Sequence, residues 1–163
     1  MKTHRAIAVI ALGFAASCAT NNPTRGGDAD SGSHSGAKVE IVAEGGIAAL
    51  LVTHRVDHDT RAFAYTQGRL CGASCPAPTD SASGMFSPST TDSLFNVVVK
   101  DAGALSRDDY GITRNGADMM SYTIRITTAG RVRTIHADDG TLPDAARQII
   151  ATVRETISAA RGR

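Results

Sequence analysis

The chain lacks most of the features that would announce a chemical activity. Its 163 residues contain no G-x-S-x-G elbow, no Walker loop and no dinucleotide fingerprint. Without those arrangements there is no sequence sign of an exposed nucleophile, a phosphate cradle or a nicotinamide site. Ser, His and Asp all occur, but nothing pairs a nucleophile with a base, so the expectation is a protein that is not an enzyme and needs no cofactor. Net charge is also missing: 17 Lys and Arg stand against 16 Asp and Glu. Such a chain has no basic field for a nucleic acid. Metal-ligand spacing is absent as well. His54 and His58 are four apart, but position 55 is Arg where a zinc-protease helix has Glu, and the segment reads as a strand running into a solvated turn. Asp108-Asp109 and Asp138-Asp139 lack the alternating oxygens and distant Glu of a calcium loop. They read as a solvated loop and as turn residues, so no metal is expected.

No apolar run is long enough to span a bilayer, but a shorter one opens the chain. Met1 to Arg5 is basic and Ala6 to Phe14 is apolar, the size of a signal-peptide core. Ala15-Ala16-Ser17-Cys18 follows. Small residues leading into a cysteine resemble the lipobox of bacterial lipoproteins. That resemblance implies removal of residues 1–17 and a lipid on Cys18, hence a membrane partner through the lipid anchor. Ala19 stands where an Asp would resemble an inner-membrane retention signal, which favours the outer membrane. Losing Lys2 and Arg5 leaves 15 basic against 16 acidic side chains, a mature net charge of about −1.

Only three cysteines are present. With Cys18 committed to lipid, Cys71 and Cys75 remain in an oxidising compartment, where a disulfide is the expected state and a metal pair the alternative. Closing so short a loop stabilises little, because the entropy term grows with loop length.

What is present reads as one domain. Residues 18–37 carry the lipid site and then ATNNPTRGGDADSGSHSGA, almost without apolar residues, which is expected to be a flexible tether. Residues 38–163 form the domain, and with 42% hydrophobic residues the chain can bury one modest core. Val39, Ile41 and Ala43 alternate on a first strand; Ala48 to Val56 is a second, apolar enough to be covered on both faces; Ala62 to Thr66 is a third. From Gln67 to Phe86 the pattern vanishes and a long loop is expected. Ser87-Pro88 starts a helix carrying Leu94, Phe95, Val98, Val99 and Ala102, stopped by Gly103. Tyr122, Ile124 and Ile126 mark a further strand. Thr141-x-x-Asp144 with Pro143 starts a last helix with the stripe Ala146, Ile149, Ile150, Val153 and Ile157. The expected fold is α+β: an antiparallel sheet of about five strands in the order β-β-β-α-β-β-α, with two helices on one face.

The final hairpin poses a register question. A three-residue loop, Thr128-Ala129-Gly130, keeps Ala129 out of the left-handed region and pairs Ile126 with Val132 and Ile124 with Thr134 on the buried face. A two-residue loop would strain Ala129 but bury Ile135 opposite Ile124. The three-residue loop is the expectation, with Arg125, Arg131 and Arg133 on the outward face.

The order of pieces resembles a known family. Gly45-Gly46-Ile47-Ala48 follows the first strand. Asp109-Tyr110, Tyr122-x-Ile124-x-Ile126, Gly130-Arg131-x-Arg133-Thr134-Ile135 and Asp139-Gly140-x-Leu142-Pro143 come later, before a terminal helix. Over about 38–158 this resembles the emfourin-like family, small protein inhibitors of thermolysin-type metalloproteases such as protealysin. Members typically carry an aromatic and a further glycine after the paired glycines, where Ile47 and Ala49 stand here. The resemblance implies a secreted or periplasmic metalloprotease as partner, contacted by Gly45, Gly46, Ile47 and Leu50. The alternative is a non-inhibitory envelope lipoprotein with a binding or structural role.

Overall fold

Alternation of apolar and polar residues builds most of a six-stranded sheet with a single buried face. A computed structural model describes residues 34–70, 78–113 and 118–162. The signal segment, Cys18, Cys71 and Cys75 lie outside the described residues. The elements are β1 (Lys38–Gly45), β2 (Leu50–Asp57), β3 (Ala62–Arg69), β4 (Asp80–Met85), α1 (Pro88–Ala104), β5 (Met120–Thr128), β6 (Arg131–Asp138) and α2 (Asp144–Arg161). All strands are antiparallel, in the order β4-β3-β2-β1-β5-β6. The α+β class is as expected, with six strands against about five.

The additional strand is β4, inside the stretch read as loop. Its sequence, DSASGM, has no apolar alternation because it is a largely exposed edge strand. It pairs with β3, which runs on to Arg69. Gly84 is required there, since a Cβ would stand 2.8 Å from the Phe63 ring.

The core lies between the sheet and the two helices. Val39 and Ile41 of β1, Val56 of β2, Phe63 and Tyr65 of β3, Ile124 and Ile126 of β5, and Ile135 and Ala137 of β6 meet Leu94, Phe95 and Val98 of α1 and Ile149, Ile150, Val153 and Ile157 of α2. The second strand is central but covered on one face only: Arg55 is exposed on the other. Ser87 caps α1 as expected, its Oγ accepting from the Thr90 N–H at 3.2 Å. The helix continues through Gly103 to Ala104. At α2 the cap expectation fails. Pro143 is the N-cap and no side chain caps the helix; Thr141 is engaged with Asp138 and Gly111 instead.

The final hairpin overturns the three-residue loop. Thr128 pairs with Arg131, and Ala129 and Gly130 form the turn with φ 48° and 73°. This is the two-residue, left-handed geometry matched to strand twist. The choice follows from magnitudes. Left-handed Ala costs about 1–2 kcal/mol, whereas burying an isoleucine gains about 1.5–3 kcal/mol. Ile135 becomes fully buried opposite Ile124, and Val132 turns outward at 65% exposure. The same shift moves two of the three arginines. Arg125 is outward, 3.4 Å from Glu40. Arg131 and Arg133 change face, and Arg133 folds over the end of α1. Its Nη1 donates to Ala102 O at 2.6 Å, its Nη2 to Leu105 O at 2.9 Å, and its Nε to Asp108 at 2.6 Å. A cation there adds donors to carbonyls at the helix end, where Ala102 O also accepts the Leu105 N–H.

Two substitutions separate the registers. Ile135→Ala should lose about 2–5 kcal/mol, and Val132→Ala should change stability by less than about 0.5 kcal/mol. Ala129→Asn, which relieves the left-handed alanine, should gain up to about 1 kcal/mol. Urea unfolding midpoints measure all three; a costly Val132→Ala with a neutral Ile135→Ala would restore the three-residue loop.

Candidate functional site

The β1–β2 connection is a four-residue tip, Gly46 to Ala49, closed by the Gly45–Leu50 pair. Its backbone is fixed from outside the hairpin by two bonds and within the tip by a third. The Gly46 N–H donates to Met119 O at 3.3 Å, the Ile47 N–H to Asp118 Oδ1 at 2.6 Å, and the Ala49 N–H to Gly46 O at 3.0 Å. Gly45 adopts φ 121°, and a Cβ there would fall 2.6 Å from Met119 O. The paired glycines therefore serve the chain's own close approach to the start of β5. What they leave free is Ile47, 85% exposed and followed by exposed Ala48 and Ala49. Leu50 goes elsewhere: it is half-buried and turns into a chamber beneath the tip.

That chamber, about 290 Å³, lies between the sheet and α2. Ile41, Ala43, Leu50, Val52, Met120 and Ile150 supply apolar wall, and His54, Tyr65, Gln67, Tyr122 and Arg154 supply the polar atoms. His54 is not on a solvated turn. It stands in β2 on the face of Val52 and Val56, 6% exposed, with its ring 5.2 Å from the Tyr65 ring. Its Nδ1 is buried without a hydrogen-bond partner. Burial, then the positive fields of Arg154 and Arg161, lower its pKa from 6.5 to about 4, so the imidazole is neutral near pH 7. The Tyr65 hydroxyl donates to Gln67 Oε1 at 2.7 Å, and the Tyr122 hydroxyl to Asp139 Oδ1 at 2.8 Å. Burial first, then that carboxylate, pushes the Tyr122 phenol up to about 12. Outside the chamber, Arg161 pairs with Asp80 and sits 4.3 Å over the Tyr65 ring. The arrangement is a neutral, mostly apolar interior with a cationic rim, suited to holding a molecule.

The other flagged residues fall into structural roles. His58 is buried, with Nε2 3.0 Å from Asp92 and Nδ1 3.4 Å from Asp59. Asp59 in turn accepts the Gly36 N–H. This packs residues 34–37, read as the end of the tether, onto the domain, with Ala37 buried. Asp138 is buried and accepts from the N–H groups of Thr113, Gly140 and Thr141; the bonds from the Thr113 N–H first, then from the Thr113 and Thr141 hydroxyls and the Thr141 N–H, hold its pKa down at about 2 against the effect of burial. Asp108 pairs with Arg133, and Asp109 stands beside His136. Among the described residues no group of three His, Cys, Asp or Glu side chains is placed to hold a metal ion. None of the described helices is long and apolar enough to cross a membrane. The available signal for the chamber was the alternation Leu50-x-Val52-x-His54-x-Val56, which puts His54 inward with its apolar neighbours.

No family model matches the chain, and no curated protein matches it.

The two shifted acids and bases predict separate pH windows. The folded pKa of His54 lies below its unfolded value, so the unfolded chain binds the extra proton. Its contribution to stability is complete above about pH 6.5 and is lost as pH falls toward about 4. Asp138 acts lower, its contribution being lost between about 3.8 and about 2. Urea unfolding measured from pH 8 down to about pH 2 should show both limbs, and His54→Leu should flatten the upper one alone. An unchanged upper limb would assign that titration to another group.

Proposed function

We propose that this chain is a cell-envelope lipoprotein whose domain inhibits a secreted or periplasmic thermolysin-type metalloprotease by inserting the β1–β2 tip into its cleft. The observation that carries the proposal is the exposure of Ile47 on a backbone already fixed by Asp118 and Met119. An isolated, solvent-facing isoleucine at a rigid tip is ready for a hydrophobic substrate pocket, and its order is established before binding, which lowers the entropic cost. The resemblance to the emfourin-like family supplies the class of protease. The contact is narrower than Gly45 to Leu50. Gly45 is engaged against Met119 and Leu50 lines the chamber, so the tip Gly46 to Ala49 makes the contact, with Ile47 leading. The lipid on Cys18 would hold this domain at the envelope, facing away from the cytoplasm.

The alternative, a non-inhibitory binding lipoprotein, draws on the chamber behind the tip, whose apolar walls carry His54, Tyr65, Gln67, Tyr122 and Arg154 among them.

Inhibition of thermolysin-type proteases by the purified protein tests the proposal. Ile47→Asp should weaken inhibition roughly 30-fold or more, as for truncating a hot spot of about 2 kcal/mol. Asp118→Ala, which leaves Ile47 in place but frees its backbone, should weaken it less. Wild-type protein that inhibits none of several such enzymes would end the inhibitor reading, and full inhibition by Ile47→Asp would move the contact away from the tip.

Anchoring is tested apart from inhibition. Cys18→Ala should appear in the soluble fraction after a salt wash, because acyl chains at about 0.8 kcal/mol per buried CH₂ hold the mature protein on the membrane. A variant that still sediments with membranes would end the lipoprotein assignment.

A further inference from the structure

The geometry points to a ligand site that the inhibitor reading does not use: we propose that the chamber between the sheet and α2 binds a medium-chain monocarboxylate, its tail among Ile41, Ala43, Val52 and Ile150 and its carboxylate on Arg154. This inference stands apart from protease inhibition and survives its failure.

The walls come first. The strands β1, β2, β3 and β5 and one face of α2 line a hollow of about 290 Å³ whose exposed wall is mostly apolar, from aliphatic residues and Met120. Core interiors normally close such space, since every unfilled gap forfeits dispersion contacts. At about 30 Å³ per water-sized group, the space fits about ten heavy atoms, the size of an eight-carbon acid.

The polar groups decide the head. Among the described residues no carboxylate lines the chamber, so a cationic ligand finds no counter-charge there. Arg154 is exposed at its edge and makes no hydrogen bond or ion pair to any described residue. Its charge acts on both His54 and Tyr122 across the opening. Arg161, on the same helix, adds positive field on the His54 side. A guanidinium with free donors beside an apolar hollow matches a carboxylate in charge and fork geometry.

Placement on the helix follows from spacing. Ile150 and Arg154 are four residues apart and so stand on one face of α2, the first over the wall and the second over the mouth. His54 contributes the remaining feature, a buried imidazole whose Nδ1 has no partner among the described residues. Its neutrality keeps the wall uncharged and leaves Arg154 as the head-group site.

The test uses the full chain carrying Cys18→Ala, purified without detergent, with octanoate, octanol and octylamine as probes. Calorimetric titration should give saturable binding of octanoate, at least about tenfold weaker binding of octanol, and none of octylamine. Butyrate and hexadecanoate should bind more weakly than octanoate because one underfills and the other overfills the space. Arg154→Gln, an exposed substitution, should weaken octanoate about tenfold or more while leaving octanol unchanged. Ala43→Leu, which fills the hollow, should abolish both, with retained folding verified by circular dichroism. NMR of the complex should shift the His54, Tyr65 and Tyr122 ring resonances. Equal affinity for octanoate and octanol, an octanoate affinity indifferent to Arg154→Gln, or binding that leaves the His54 resonance in place would each overturn the proposal. So would octanoate binding that persists undiminished in folded Ala43→Leu.

Discussion

Everything in this domain hangs on β1 being paired along both edges. Residues Lys38 to Gly45 take β2 on one side and β5 on the other, each in continuous antiparallel register. Within the sheet, the meander β1-β2-β3-β4 and the hairpin β5-β6 meet at this strand, so its two faces set the identity of the two faces of the sheet. On the inner side Ile41 lies between His54 and Ile124; on the outer side Glu40 lies between Arg55 and Arg125. The outer row places a carboxylate between two guanidiniums at 2.6 and 3.4 Å. The pairs are exposed and weak individually. Their alternation with the buried row nonetheless opposes a one-residue slip, which would send Glu40 into the core and Ile41 into water.

The same constraint places the candidate sites. Where β1 ends, β5 begins against it, and Gly45 must pass within reach of Met119 O. That close approach, together with Asp118 holding the Ile47 N–H, is why the tip stands as a formed structure. Behind the tip the strands continue with Ala43, Val52 and Met120, residues that do not reach α2 fully. The chamber is the space left between them and Ile150. A long side chain at Ala43 would close it, and a short one at Leu50 would open it to the tip.

Much of this was legible in the chain. The alternation on β1, β5 and the inner face of β2 gave strands, and the stripe on α2 gave its buried face, because period-2 and period-3.6 patterns survive wherever one side meets a core. β4 was not legible: an edge strand of small polar residues pairs through backbone alone and leaves no periodic signature. The hairpin register was misjudged because a local cost, left-handed Ala129, was weighed above a long-range gain, the burial of Ile135, and only the second depends on the helices. Arg133 followed the same error. Its partners, Ala102 O and Leu105 O, belong to the end of α1, some 30 residues away, and no local pattern announces them. His54 and His58 read as turn residues because histidine and aspartate cluster there, yet β2 carries His54 inward and Asp92 of α1 draws His58 inward.

The polar groups that remain buried show how the domain divides its tasks. Asp138 and Tyr122 are satisfied within the protein, the first by backbone and hydroxyl donors from the loop before β5 and the turn after β6, the second by Asp139. These bonds tie the loop before β5 to the junction of β6 and α2, so the helix that roofs the chamber is fixed at its N-terminal end. His54 is the exception. Its neighbours on the sheet are apolar or already committed, and the two arginines nearest it disfavour its charged form. A buried acceptor or donor left unpaired costs about 1–3 kcal/mol. An apolar side chain at position 54 would avoid that cost and pack equally well against Tyr65. Among the described residues His54 Nδ1 is thus the one buried side-chain polar atom left without a partner, in contrast to the fully bonded Asp138, and it lies on the strand that walls the chamber.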